Sequence, residues 1–250
     1  ISLAIMLPIW KVIIDSFDAR SAYGFKWVPT MFTWGGYRAI VTRVALYRPF
    51  GISCIVTIAG TFLGLLLVTL GGYVLIQWEM PGRNFFAYML LFTMIFDGGM
   101  IPKFLVIKQL GLINTLWAVI LPMAINVYNL VLMRNFFEGI PEALFEAAQI
   151  DGCTSFQATV NIIIPLMRAS FVQCLFLTIT RCFMVYDVNL SLTKGEPFNS
   201  SVMAAMHVYN QAFTYKNYGL GQAEALVLFI VCAIVGVTQV YIGKKGEVAA

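Results

Sequence analysis

Two charged side chains lie deep inside otherwise apolar stretches. Asp97 stands thirteen residues beyond Asn84, and Arg181 stands thirteen beyond Arg168. In helices entered from one membrane face, a rise of ~1.5 Å per residue places both charges ~20 Å in. An unpaired charge at that depth is costly. The expectation is a direct Asp97–Arg181 ion pair, or else that both line a wet cavity. The competing reading puts Asp97 already at the far interface, with Arg181 snorkelling to water. Other reactive groups are sparse. His207 is the single histidine and has no Cys or acid close by in sequence, so no metal site is expected. Serines such as Ser170 lack a base, and no catalytic constellation emerges. No glycine loop ends in Gly-Lys-Ser/Thr, so the chain is not expected to hold a nucleotide itself. Cys54, Cys153, Cys174, Cys182 and Cys232 show no CxxC spacing and read as small apolar filler.

The polar segment that stands out runs from Glu142 through Gly152 to Pro165. Pro141 suits a first helical position, and Glu142 and Glu146 follow in the opening turns. Gly152 can take the left-handed conformation that ends a helix. Thr154 and Gln157 have capping-box spacing for a second helix, which Pro165 is expected to terminate. Ala147 and Ala148 leave a bare patch on which another surface can approach the backbone. The element reads as one built to be held by another protein.

Glu146-Ala147-Ala148, then Gly152, then Ile162 and Pro165, resembles the cytoplasmic EAA loop of ABC-importer permeases. The spacing matches throughout, with Ile164 where the family usually has Leu. Met133-Arg134-Asn135-Phe136-Phe137, Ile140-Pro141, and Leu110 to Thr115 before Trp117 extend the match over roughly residues 80 to 245. Together they resemble the carbohydrate-uptake branch. The resemblance implies an all-α, polytopic, six-helix type I ABC-importer transmembrane domain, with a first helix whose cytoplasmic start is expected to be missing. It implies a non-enzymatic translocation subunit working with a second permease (a heterodimer), two ATPase subunits and an extracytoplasmic solute-binding protein. ATP and Mg would sit on the ATPase partners, with no cofactor on this chain. The location implied is a bacterial or archaeal plasma membrane. Residues 134–168 would form the coupling loop. Glu142, Glu146, Ala147, Ala148, Asp151, Gly152 and Pro165 would couple to the ATPase. The competing reading of Glu146 is a solvated helix-start acid, and docking is favoured because an acid followed by paired alanines suits a contact surface. When the ATPases close on ATP, the spans would tilt as rigid bodies and open the cavity outward.

Sugar recognition needs aromatic faces and side-chain amides or carboxylates. The candidates are Asn126, Tyr128 and Asn129, and Tyr186, Asp187 and Asn189. Interhelical packing and hydrogen bonding is the favoured reading of the same residues. Leu192 to Pro197 resembles the loop of one permease partner, with Glu196 replacing a Gly, whereas Gly98 to Pro102 resembles the other, so both halves of the pair stay open.

Composition frames these readings. The chain is 60% hydrophobic and 11% charged, with mean hydropathy +0.83, outside the usual range of a soluble domain. Charge-free runs exceed the ~18 residues of a membrane helix. Lipid is therefore a partner, and a net charge of +4 without a basic cluster argues against nucleic acid. Residues 1–49 divide into a partial first helix, with Pro8 inside, and an aromatic external loop. Residues 50–250 form the core. Within it, spans are expected over 50–76, 84–106 (interrupted by Asp97-Gly98-Gly99 and Pro102), 115–133 (with Pro122 inside), 169–190 and 225–243, and an interfacial helix over Tyr209 to Tyr218. Pro102, Pro122 and Pro165 mark places where helices can bend. A signal peptide fits the start less well, lacking a basic n-region.

Orientation sets two rules against each other. Alternation places Arg83, Arg134, Arg168, Lys244 and Lys245 on the side of the EAA loop, five of the sixteen basic residues. Charge counting would make the opposite side cytosolic. The resemblance requires the loop to meet a cytosolic ATPase, and it is followed here. The alternative class, a secondary transporter or channel without an ATPase, would need inverted repeats or midspan ion ligands.

Overall fold

The computed structural model describes residues 2–18, 24, 26–76, 81–150 and 152–247. Their regular elements are all helices, and the sole strand-like pairing among them is an isolated bridge between Asp18 and Phe32. The first helix, α1 (Ser2–Ser16), accommodates Pro8. The aromatic stretch after it closes on itself: Phe17 packs on Phe32, Trp34 and Tyr37 with centroids 5.0 to 5.4 Å apart. Asp18 is buried and accepts from Lys26 and from the backbone N–H groups of Thr30 and Met31. α2 (Gly35–Thr42) follows. The segment expected to be loop thus contains a helix.

α3 (Val44–Ile76) begins six residues before the expected span and runs through Pro49. Pro49 falls in its second turn, where it forgoes one backbone bond, to the Ala45 carbonyl. The next two expected spans are broken. α4 (Arg83–Ile95) and α5 (Met100–Gln109) are bent by 119° at Asp97-Gly98-Gly99. α6 (Leu116–Ala124) and α7 (Val127–Glu138) are bent by 42°. Pro122 does not make this second break. It falls inside α6, and the chain restarts where Asn126 Oδ1 accepts from the Tyr128 N–H at 3.0 Å.

α8 (Glu142–Ile150) and α9 (Ser155–Ala158) form the polar hairpin. A π-helical turn over Thr159–Ile163 then leads into α10 (Ile164–Leu166), with Pro165 in its first turn. Pro165 therefore does not end the second helix. The wide turn before it absorbs the missing N–H and the ring clash, and the chain continues helically into α11 (Arg168–Phe183). α12 (Asp187–Leu192) and α13 (Ala204–Tyr209) are short, and a second π turn spans Asn210–Thr214. α14 (Tyr218–Glu247) closes the chain. Two helices, Val44–Ile76 and Tyr218–Tyr241, are long and apolar enough to cross a membrane, or four spans if each bent pair is one. α1 and α11, the other expected spans, are 15 and 16 residues long.

The helices pack as two compact units, one from Ile1–Thr57, Phe104–Val119 and Arg181–Val235, the other from Ile58–Lys103, Ile120–Thr180 and Gly236–Ala250. The second unit buries Val68, Leu75, Leu130, Met133, Phe137, Ile163, Met167 and Cys174 together. Glycines allow the approach. A Cβ on Gly64 would lie 2.9 Å from the Ala124 carbonyl oxygen, and one on Gly71 would lie 3.1 Å from Leu130. In the first unit, Ile107, Ala118 and Leu192 form a smaller core.

Candidate functional site

The polar hairpin is built by local devices. Pro141 sits just before α8, not at its first position, and its carbonyl accepts from Leu144 N–H at 3.1 Å. Gly152 ends the helix at φ +76°, and Cys153 N–H reaches back to the Ala148 carbonyl at 2.9 Å, the long bond of a Schellman motif. The capping box then closes. Gln157 N–H donates to Thr154 Oγ1 at 3.3 Å, and Gln157 Oε1 accepts from the Thr154 N–H at 2.9 Å.

On α8 the two alanines part company. Ala148 is buried at 3% exposure, while Ala147 faces out. Sequence reading missed the residues that share the outer face with Ala147. Leu144 is 37% exposed and Ile150 is 86% exposed, spaced at i, i+3 and i+6. Glu142 and Glu146 lie on this helix; their side chains and all of Asp151 fall outside the described residues.

The helices that enter and leave the hairpin are joined. Asn129 of α7, 1% exposed, donates from Nδ2 to Thr178 Oγ1 of α11 at 3.0 Å, and that hydroxyl donates to the Cys174 carbonyl at 2.7 Å. At the hairpin end of α7, Glu138 Oε1 accepts from Arg134 at 2.7 Å and from Arg83 of α4 at 3.1 Å.

The expected substrate residues do not share one surrounding. Asn126 is the cap of α7 and Asn129 is the interhelical tie, whereas Tyr128 is exposed. Tyr186 packs on Tyr209 with ring centroids 4.9 Å apart and tilted by 42°, Asp187 opens α12, and Asn189 is buried, accepting from Thr193 Oγ1 at 2.6 Å. The ion pair recorded for Asp97 is with Lys103, at 2.9 Å, while its carboxylate also accepts from the Gly99 N–H. Arg181 lies exposed in the last turn of α11.

His207, taken from sequence to have no acid nearby, has one. Glu224, fully buried, places Oε2 2.8 Å from His207 Nδ1. The pair is separated by 17 residues, and no local spacing signals it. Among the described residues no group of three or more His, Cys, Asp or Glu could hold a metal.

Comparison with known proteins places this arrangement. The family model for the binding-protein-dependent transport system inner membrane component matches residues 83–246. The polygalacturonan/rhamnogalacturonan transport system permease protein YtcP of Bacillus subtilis (strain 168) is 40% identical over 168 residues, which is 66% of this chain and 59% of that relative. The chain thus spans about three fifths of the length of that relative. A crystal structure of a bacterial ABC transporter involved in import of the acidic polysaccharide alginate superposes with TM-score 0.81 at 22% identity, over 96% of this chain and 91% of that one. A second, of a bacterial alginate ABC transporter in complex with an alginate pentasaccharide-bound periplasmic protein, gives TM-score 0.63 at 12% identity, over 86% and 83%.

Proposed function

Because the chain belongs to the binding-protein-dependent transport system inner membrane component family, we propose that it is the permease subunit of an ATP-driven importer of oligosaccharides. Its all-α, multi-pass fold is that of an ABC-importer permease chain. The observation that carries the coupling role is the outer face of α8. Leu144, Ala147 and Ile150 present an apolar stripe on a short helix fixed at its end by a Schellman turn and followed by a capping box. An exposed apolar helix face held this rigidly suits a cleft in a partner protein. Loop 134–168 within the 50–250 core is the coupling loop, and residues 1–49 supply a first helix and an external segment.

The partners proposed are a second permease subunit, two ATPase subunits that hold ATP and Mg, and a solute-binding protein outside a bacterial or archaeal plasma membrane. Support for the substrate class comes from the relative named for polygalacturonan/rhamnogalacturonan transport. Support for the binding protein comes from the structural neighbour captured with one. ATP hydrolysis belongs to the partner, and this chain converts ATPase closure into helix tilting.

Co-purification tests the reading. An ATPase subunit is expected to accompany the wild-type chain and to be lost with Ile150→Asp, which places a charge in the docking face. Saccharide uptake that continues without any ATPase subunit would overturn it.

A further inference from the structure

Within the first compact unit lies a cavity of about 390 Å³, lined by Arg48, Asn199, His207, Asn210, Gln211 and Tyr215 among others. Its volume falls in the ~300–1,000 Å³ range of small-molecule sites.

Packing sets its chemistry. A Cβ on Gly221 would lie 2.9 Å from the backbone nitrogen of Ala212, so glycine at this position of α14 lets the π turn lie directly against it. That approach brings buried Glu224 to His207. Asn217 Nδ2 donates to Gln211 Oε1 at 3.4 Å, which turns the Gln211 amide nitrogen toward His207 Nε2 at 3.5 Å. Read through this network, His207 Nε2 accepts and Nδ1–H donates to Glu224. The second oxygen of Glu224, Oε1, is buried with no hydrogen-bond partner among the described residues. A buried carboxylate half-satisfied behind a histidine is an expensive way to fill space. It is a suitable way to fix the imidazole, which in turn holds the Gln211 amide at the cavity wall.

Arg48 is the single charged side chain of the lining. The exposed rings of Tyr215 and Phe198 flank the same cavity and offer stacking faces. A guanidinium recognises a planar carboxylate, and side-chain amides recognise hydroxyls. We propose that this cavity binds an acidic sugar unit, with its carboxylate on Arg48 and its hydroxyls on Asn210 and Gln211, the latter positioned by His207. The assignment rests on the carbohydrate-importer reading and names the substrate class at one place in the chain. An anionic lipid headgroup would present similar chemistry to Arg48, and the test separates the two.

The assembled complex in zwitterionic lipid nanodiscs is titrated calorimetrically with digalacturonate and with galactobiose. Wild type is expected to bind the acid about tenfold more tightly, the worth of one partly exposed charge-assisted contact. Arg48→Gln abolishes the preference, and Arg48→Lys keeps part of it. Glu224→Gln weakens both sugars together and leaves their ratio unchanged. An unchanged preference in Arg48→Gln overturns the assignment, as does equal binding of both sugars by wild type. Loss in Arg48→Gln of binding to phosphatidylglycerol alone overturns it in favour of lipid. ATP hydrolysis stimulated by the binding protein is read separately. If stimulation is present without acid preference, only this assignment fails; if it is absent, the importer reading fails instead.

Discussion

Asn129 donates its side-chain amide to the hydroxyl of Thr178 over 3.0 Å, joining the helix that enters the polar hairpin to the one that leaves it. Under the proposed coupling role, a push on α8 would reach α7 and α11 together through this tie. Asn129→Ala is expected to destabilise the complex by ~0.6 kcal/mol, and by no more than ~1.7, as for other interhelical hydrogen bonds in membranes. Its larger effect is on coupling, with ATP hydrolysis continuing while uptake falls. A double-mutant cycle with Thr178→Ala, read by thermal unfolding and uptake, is expected to be non-additive.

Gly64 and Gly51 separate close packing from helix propensity. An added Cβ at Gly64 meets the Ala124 carbonyl oxygen at 2.9 Å, whereas one at Gly51 meets nothing within 4 Å. Gly64→Ala is expected to force α3 from its neighbour and lower the unfolding temperature. Gly51→Ala should be neutral or stabilise by up to ~1 kcal/mol, the helical advantage of Ala over Gly. Circular-dichroism melts of the purified complex compare them.

The hairpin turn is held by conformation and capping, not by bulk. Gly152 sits at φ +76° with open space where a Cβ would go, so Gly152→Ala costs ~1–2 kcal/mol through backbone strain alone. Thr154→Ala removes the cap on Gln157 N–H and costs ~1 kcal/mol. Gly152→Asn is expected to retain more coupled uptake than Gly152→Ala, since Asn visits the left-handed region more readily. Uptake per ATP hydrolysed is the measurement.

The charge at Asp97 now has a named neighbour. Lys103 lies 2.9 Å away, with side chains 70% and 40% exposed, a pair worth ~0–1 kcal/mol to stability. The swap Asp97→Lys with Lys103→Asp is expected to transport better than either single change. The swap Asp97→Arg with Arg181→Asp is expected to restore less. Recovery by the second swap alone would make Arg181 the functional partner.

Local devices were legible in the sequence and tertiary ones were not. The hairpin's helix, its left-handed glycine and the Thr154–Gln157 box follow from short spacings, and the structure has all three. The extension past Pro165 was missed because a π turn leaves no mark in hydrophobic periodicity. The break at Asn126 was missed because Pro122 offered a more obvious place for it. The outer face of α8 went unread because chain position alone cannot say whether Ala147 or Ala148 turns inward. The His207–Glu224 contact depends on Gly221 letting two segments meet, a fact of packing that no motif carries.

Position 150 offers the most direct measurement. In a background free of the five native cysteines, Ile150→Cys is treated with a membrane-impermeant maleimide in intact cells and in inside-out vesicles. The account predicts labelling only in the vesicles, and protection there when the ATPase subunit is bound. Labelling in intact cells would place the hairpin outside, beyond reach of any ATP-driven partner, and would contradict it.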